Sequence, residues 1–528
     1  MSGLLLQPAK ALMSVVKRVV SGSLASWMRI AVTIFSQIIA VPIYLHYWSV
    51  ETYGAWILVQ SIVSFMTIFD VAHHNYLGNE FLKIGKQKPQ EIANVFSSGV
   101  VVAFIVSIVF FILVCILTFS GTISRWVGID AATAQPFENS LLLTCGTGVL
   151  TITFTGLLSR ALNPYGYFPL SAWSGVLFAI ASTAASVAAV YFGADLVGAT
   201  VATSIVLFVC HSTLTVILFR IAQKEKLIST RLDMGRAFSR FYASLVLGVQ
   251  YGLEMLRQQG VRLILLPLSG MAQMIAFSTM RTGANLALQG MGTITAPLMP
   301  ELMAFLINRD QPRTESAFSV IWLMLCVVLV PAVLMVQYLA PALFPLWTQG
   351  KIAFDPVLFA LLSMAVLVFA LAQPAIAVVN GNNLIREQFM ISMVATLITV
   401  AGIYLLVPRM GVKGAAVALL AGESVTLYFY VYAAKKWLAS VAMRWPTAAF
   451  VNASLSLLVA ACGMACIIIF PTYAGLGLAL ALTAQVFIVV AYWSQLPLIA
   501  RTAAAAQAVR FLPGSLRKRW HKPVGNAS

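Results

Sequence analysis

Charge is what this sequence has least of. Asp, Glu, Lys and Arg make up 9% of its 528 residues, where a soluble globular domain carries about 25%. Acidic residues are the scarcest, 16 against 33 Lys and Arg. So few charges exclude a soluble enzyme and a nucleic-acid-binding domain, and a hydrophobic content of 60% excludes a disordered chain. Cysteine is sparse too. Cys115, Cys145, Cys210, Cys326, Cys462 and Cys466 all fall in apolar stretches without a Cys-x-x-Cys spacing, which reads as packing rather than redox or metal chemistry. The pair His73-His74 has no third or fourth ligand spaced for a metal, so neither metal nor cofactor is expected. Nothing resembles a cleavable signal peptide.

What is present is one apolar run after another. A membrane-crossing helix needs about 20 mostly apolar residues. Fourteen segments qualify: 24–47, 53–70, 97–119, 138–160, 168–192, 196–219, 241–268, 274–299, 317–340, 355–379, 389–408, 412–434, 447–470 and 473–494. The expectation is an all-α polytopic membrane protein of about 14 transmembrane helices. The seventh segment is the weakest, interrupted by Glu254, Arg257 and Arg262.

The cations test this count. With a cytoplasmic N-terminus, only Arg125, Lys351, Arg409 and Lys413 fall in outer loops, and only Arg29, Arg257, Arg262 and Arg281 inside spans. All other Lys and Arg lie in inner segments, densest in the loop 221–240 and the tail 495–528. Dropping the seventh segment would invert every later loop, so the positive-inside rule keeps it and places both termini in the cytoplasm. Most of the formal charge of +17 is therefore topology. Within 1–23, Lys10, Ser14, Lys17, Arg18 and Ser21 share one helical face opposite Leu12, Val15, Val16 and Val19. A short helix lying on anionic lipid and an ordinary basic flank of the first span fit equally well.

The two halves of the chain resemble each other. Pro42 corresponds to Pro267, Asn79-Glu80-Phe81-Leu82 to Pro300-Glu301-Leu302-Met303, and Phe96-Ser97 to Phe318-Ser319. Gly198-Ala199-Thr200-Val201-Ala202 matches Gly414-Ala415-Ala416-Val417-Ala418. The offset drifts only from 225 residues, at Pro42 and Pro267, to 216, at Gly198 and Gly414. A six-helix repeat gives two pseudo-twofold lobes about an axis along the membrane normal. The lobes cover residues 24–220 and 241–436, and two C-terminal helices follow in 447–494.

Polar residues gather on the first two helices of each lobe. At 100° per residue, Gln250, Tyr251, Glu254, Arg257, Gln258 and Arg262 fall within an arc of about 140°. Ser278, Arg281, Asn285 and Gln289 share a stripe, as do Ser26, Arg29, Thr33, Ser36 and Gln37, and Tyr53, Trp56, Gln60, Ser64 and Thr67. The simplest geometry aims all four stripes at one cavity. An Arg at mid-membrane costs roughly 2.5–3.5 kcal/mol and persists when it is paired, lines water or binds a ligand. Glu254 can pair with Arg257 or Gln258 at helical spacing, but one carboxylate cannot neutralise Arg257, Arg262 and Arg281 together. This favours an anion-binding cavity, and the planar Arg fork suits a diphosphate. Arg29 lies near the inner end of its span, where snorkelling is a second reading. Asp70 ends the second span beside the His pair and, with Glu254 and Glu423, is a candidate for ion coupling. Glu423 has no cation nearby in sequence; a proton-coupling carboxylate and a hydrogen bond to a neighbouring helix fit it equally. Pro42, Pro267, Pro297, Pro300 and Pro374 serve either a conformational switch or static kinks.

Pro42-Ile43-Tyr44-Leu45, then Tyr53-Gly54-Ala55-Trp56, then Phe69-Asp70-Val71 resembles the start of the Wzx-type polysaccharide flippases. These belong to the multidrug/oligosaccharidyl-lipid/polysaccharide exporter superfamily. After the aspartate that family usually reads Leu-Gly, whereas this chain has Val71-Ala72-His73. The resemblance covers the first two helices by motif and twelve by architecture. It implies translocation of undecaprenyl-diphosphate-linked oligosaccharide across the bacterial cytoplasmic membrane by alternating access, for surface polysaccharide such as lipopolysaccharide. Membrane lipids and polysaccharide polymerase or export machinery are the implied partners. The resemblance implies cationic cavity residues that meet the diphosphate, and the polar faces place the candidate site at Arg29, Arg257, Arg262, Arg281, Gln37, Gln60, Gln258, Asn285, Gln289 and Tyr251. Fourteen helices also resemble the lipid II flippases of the superfamily, whose two extra helices form a groove for the lipid tail. A drug or organic-cation antiporter is the nearest rival, but it wants a carboxylate where the first helix has Arg29. A polyprenyl-dependent glycosyltransferase or polymerase is remoter, because the longest external loops, near 120–137 and 341–354, are short and Arg125, Asp130 and Glu138 are too sparse there for a mechanism.

Overall fold

In lipid, every backbone N–H and C=O must be satisfied within the protein, which leaves helices as the economical solution for so apolar a chain. The computed structural model describes residues 3–229, 231–295, 302, 305–306, 308–382 and 384–496; side chains are described from residue 21 onward, excluding 22–23, 65–66, 69, 287 and 290–301. Among the described residues there is no strand. The protein is an all-α, multi-pass membrane protein. The helices are α1 (Gly3–Tyr47), α2 (Val50–Met66), α3 (Ile68–Ile84), α4 (Pro89–Phe119), α5 (Thr122–Val127), α6 (Ala131–Ala161), α7 (Phe168–Tyr191), α8 (Leu196–Lys224), α9 (Met234–Met255), α10 (Val261–Ser269) and α11 (Met271–Thr295). They continue as α12 (Gln311–Met324), α13 (Val330–Trp347), α14 (Pro356–Gly381), α15 (Ile385–Met410), α16 (Val412–Ser440), α17 (Thr447–Ile469) and α18 (Ala474–Gln495). π-helical segments Leu256–Gly260 and Leu325–Leu329 join α9 to α10 and α12 to α13.

Among the described residues, eleven helices are long and apolar enough to cross a membrane. They coincide with eleven of the expected spans. The described parts of the other three expected spans are helical as well, in α2, α9–α10 and α11, of which α2 and α10 are short, at 17 and 9 residues. Two expectations change. The basic N-terminal segment is no separate helix, because the backbone runs unbroken from Gly3 to Tyr47. The face its Lys10, Lys17 and Arg18 present lies outside the described residues. Further on, the stretch after Asp70 is not an inner loop. Asp70, His73 and His74 belong to α3, where both histidines are buried. Within α3, Ile68 and Ala72 are buried on one side and Leu77 and Phe81 on the other, so the run 70–80 is helix packed on opposite faces. Pro42, Pro267 and Pro374 sit inside helices, whereas Pro297, Pro300 and the basic tail lie outside the described residues.

The described helices cluster into two bodies. The first takes Met1–Thr293, Ala340–Leu362 and Ser392–Gly422. Its core near one end joins α3, α4, α6 and α8 through Leu77, Phe81, Phe96, Leu157, Leu158, Leu214 and Leu218. Gly54 lets α11 close on α2: a Cβ there would stand 2.6 Å from both Ile275 Cδ1 and Met271 Sδ. Asp195 starts α8 by accepting from Gly198 N at 2.7 Å, a side-chain cap for an otherwise orphaned amide. Lys351 donates to Trp48 O at 3.0 Å and Trp347 Nε1 to Ile38 O at 3.0 Å, tying the end of α13 to α1.

The second body takes Ile294–Leu339, Ser363–Ile391 and Glu423–Ser528. Trp322, Phe318, Trp445 and Phe450 interlock at its core, with ring centroids 5.4–5.9 Å apart. A π turn releases a main-chain carbonyl from its helical partner. Here Gln485 of α18 donates to Cys326 O at 2.7 Å and to Ser456 Oγ of α17 at 3.0 Å.

Candidate functional site

The first body holds two polar cavities. The larger, of about 610 Å³, is lined by Ser26 and Arg29 of α1, Asn75, Gly78 and Asn79 of α3, Ser159 and Arg160 of α6, Ser171 of α7 and Tyr251 of α9. The other, of about 410 Å³, is lined by Ser36, Gln37 and Tyr44 of α1, Tyr53, Trp56 and Gln60 of α2, Ser182, Thr183 and Ser186 of α7, Thr203 of α8, Arg262 of α10, and Ser278 and Thr282 of α11. No carboxylate lines either one, among the described residues. Arg262 Nη1 donates to Gln259 Oε1 at 2.8 Å and to Ser61 Oγ at 3.4 Å. Its Nε–H is buried without a hydrogen-bond partner among the described residues. Beside it stands an aromatic cluster. Tyr44 stacks on Trp48 at 5.1 Å and 13° and meets the tilted rings of Tyr53 and Trp56 at 6.2 and 5.8 Å. Tyr44 Oη is 2.6 Å from Ser186 Oγ, which fixes α1 against α7.

The four polar stripes do meet within this body. Gln289 Nε2 donates to Gln37 Oε1 at 3.2 Å, joining α11 to α1, and the Arg262–Ser61 bond joins α10 to α2. Asn75 Nδ2 donates to Tyr251 Oη at 3.5 Å, joining α3 to α9. Gln60 and Arg29 are exposed on the cavity walls.

Other expected site residues are engaged with the protein itself. Arg257, 4% exposed, places Nη2 at 2.9 and 2.7 Å from the two carboxylate oxygens of Glu254, the helical-spacing pair weighed above. Gln258 Nε2 adds a bond to Glu254 Oε1 at 3.2 Å. Arg281, 5% exposed, grips the π segment: Nη1 donates to the main-chain carbonyl of Gln258 at 2.8 Å and Nη2 to its side-chain Oε1 at 2.7 Å. Neither Arg257 nor Arg281 lines the two cavities, and nor does half-buried Asn285. Asp70 stands 3.2 Å from His74 Nε2 and accepts from Thr153 Oγ1 at 3.5 Å, beside a small, mostly apolar cavity of about 60 Å³. Glu423 belongs to the second body, is buried at 4% exposure and engages its surroundings, so it is not an unpaired carboxylate.

Arg160, Asn75 and Asn79 are the site residues that sequence reasoning passed over. Arg160 was absorbed into the tally of inner-side cations. The signal for it was available, since it ends a span one helical turn after Gly156, while Asn75 and Asn79 stand at i, i+4 on one face.

No protein-family model matches the chain, and no curated protein matches it. Solved structures do. A multidrug resistance MATE family transporter of the MOP superfamily, in an inward-facing conformation, superposes with a TM-score of 0.59 at 14% identity, over 77% of this chain and 95% of its own. The lipid II flippase MurJ in an inward closed conformation gives 0.57 at 12% identity, over 90% and 98%. A MOP superfamily transporter from Pyrococcus furiosus, described by the reverse polarity of its binding pocket, gives 0.52 at 14% identity, over 80% and 96%. The chain thus has the fold of MOP superfamily transporters.

Proposed function

We propose that the protein is a flippase that moves an undecaprenyl-diphosphate-linked oligosaccharide across the bacterial cytoplasmic membrane by alternating access, for surface polysaccharide biosynthesis. Both termini lie in the cytoplasm on this reading. The observation that carries it is the chemistry of the two cavities: arginine, neutral hydrogen-bonding groups and aromatic rings, with no lining carboxylate among the described residues. Such walls suit an anionic, hydroxyl-rich cargo. They do not suit an organic cation, which needs a counter-charge once desolvated. A substrate diphosphate presents oxygens to the Arg fork, and its sugars present hydroxyls to Gln37, Gln60 and the serines while their apolar faces rest on rings such as Trp56. The polyprenyl tail stays in lipid throughout. The fold shared with a lipid II flippase over 90% of this chain supports the same reading.

Arg257 and Arg281 then act indirectly, by holding the π segment that sets the position of Arg262. Asp70 and Glu254 are the carboxylates of the first body to which ion coupling falls, with Glu423 in the second. The test is complementation of a strain lacking its own flippase. Arg262→Ala and Arg29→Ala are expected to abolish or sharply reduce surface-glycan export at normal protein levels. Full export by both variants would remove the cavity from the mechanism.

A further inference from the structure

Arg160 is a half-buried arginine whose geometry topology does not explain. Its Nε and Nη2 both donate to Asn75 Oδ1, at 3.2 and 2.6 Å, and Nη1 donates to Gly156 O at 3.3 Å. Asn75 is in turn tied to Tyr251 across the cavity wall. The stem of the side chain lies over Gly78, where a Cβ would approach Cδ to 3.1 Å and Cγ to 3.3 Å, so the missing side chain at 78 makes the bed for it. A guanidinium has five N–H donors. Three of the five are taken by these bonds, which leaves one N–H on each terminal nitrogen. Two such donors match two oxygens of a phosphate.

The surroundings agree. Arg29 adds a second cation from α1, and among the described residues no carboxylate lines the cavity. Asp70 of α3 stands 3.2 Å from His74 Nε2 and acts on Arg160 through its charge, but it does not line the cavity. Ser171 Oγ is buried on the same wall with no hydrogen-bond partner among the described residues, a donor waiting for an acceptor. The Arg262 cavity is separate from this one. From Arg29 to Gln37, which line the two, α1 rises by about 12 Å at 1.5 Å per residue.

We propose that the Arg29–Arg160 cavity is a phosphate-recognition site in its own right, taking the phosphate end of a lipid-linked diphosphate, while the aromatic cavity of Arg262 receives the neutral, sugar-bearing part. This rests on the flippase reading for the sugar, but not for the phosphate. Asn75 is a positioning residue, since it orients Arg160 without itself supplying charge.

The test is binding of farnesyl diphosphate to the full-length protein in phosphatidylcholine nanodiscs. Arg160→Gln and Arg29→Gln are each expected to weaken binding about tenfold or more, the loss of one charge-assisted contact. Arg160→Lys keeps the charge but loses the fork, and is expected to bind farnesyl diphosphate no better than farnesyl monophosphate. Arg231→Gln, an exposed loop cation outside the cavity, controls for net charge and leaves binding unchanged. Competition separates the ligand sources: inorganic pyrophosphate should displace the probe, whereas nanodiscs doped with phosphatidylglycerol should not. Displacement by phosphatidylglycerol would assign the site to bulk lipid headgroups and overturn the proposal. So would native affinity in both Arg160→Gln and Arg29→Gln. If export proves insensitive to Arg262 while Arg160 still governs diphosphate affinity, the flippase reading falls and the phosphate site stands.

Discussion

An arginine in a membrane protein must place five N–H donors, and the groups that take them decide what it does. Arg257 and Arg281 give theirs to Glu254 and Gln258, within one stretch of helix and its neighbour. Arg262 and Arg160 keep donors toward open cavities. The two classes should separate by experiment. Arg281→Gln strips the bonds from the buried carbonyl of Gln258, a loss of about 1–3 kcal/mol, seen as a lower unfolding temperature in detergent. Arg262→Gln should cost less stability and more export; the opposite ranking would exchange their roles. The sequence places Arg257, Arg262 and Arg281, but not Arg160, on polar faces, because a 100° wheel shows which side of a helix is polar. It cannot show which neighbour each fork reaches. That choice depends on helices distant in sequence, as with Asn75 and Arg160, and for this reason the phosphate cavity was not legible.

Three of the four expected spans that carry polar stripes, all but the one in α1, are not among the eleven helices long and apolar enough to cross a membrane. α2, α9, α10 and α11 trade apolar surface for cavity lining, and two of the junctions in this region are irregular: α2 gives way to α3 at Thr67, and α9 to α10 through the π segment. Hydropathy and charge asymmetry located these segments but blurred their ends, placing Asp70 at a helix terminus where it lies in the first turn of α3. The motif Tyr53-Gly54-Ala55-Trp56 acquires a physical reason at this level. Tyr53 and Trp56 face the aromatic cavity, Ala55 is buried, and Gly54 admits α11. A Gly54→Val substitution should push α2 and α11 apart, lowering folded yield and breaking the wall of the Arg262 cavity. Pairing it with Ile275→Ala should restore part of the yield, as measured by monodisperse material on size exclusion. No recovery would mean that Gly54 matters for reasons other than this contact.

For the whole molecule, the bias of cations predicts an orientation, with both termini in the cytoplasm, that labelling tests. Single cysteines at Arg125 and at Arg386, in a background cleared of the native six, should label with an impermeant maleimide from opposite sides. Arg125→Cys is expected to react from outside intact cells, and Arg386→Cys only after the inner face is opened. Labelling of both from one side would reverse the helix count. The fold class was legible at this scale because length, apolarity and the positive-inside rule act on the entire chain at once. The division into two bodies was less so, since five helices, Met271–Thr295, Val330–Trp347, Pro356–Gly381, Ile385–Met410 and Val412–Ser440, contribute a stretch to each.

The glutamine of the last helix that closes on Cys326 also bears on how such a chain could shorten over generations. A gene that lost the codons beyond 446 would expose a main-chain oxygen in the middle of a remaining helix to hydrocarbon, with nothing at hand to bind it. Loss of the terminal pair would therefore be tolerated only together with deletion of one residue from Leu325–Leu329, returning that segment to a regular turn. A homologue without the terminal pair should then also lack one residue of that segment.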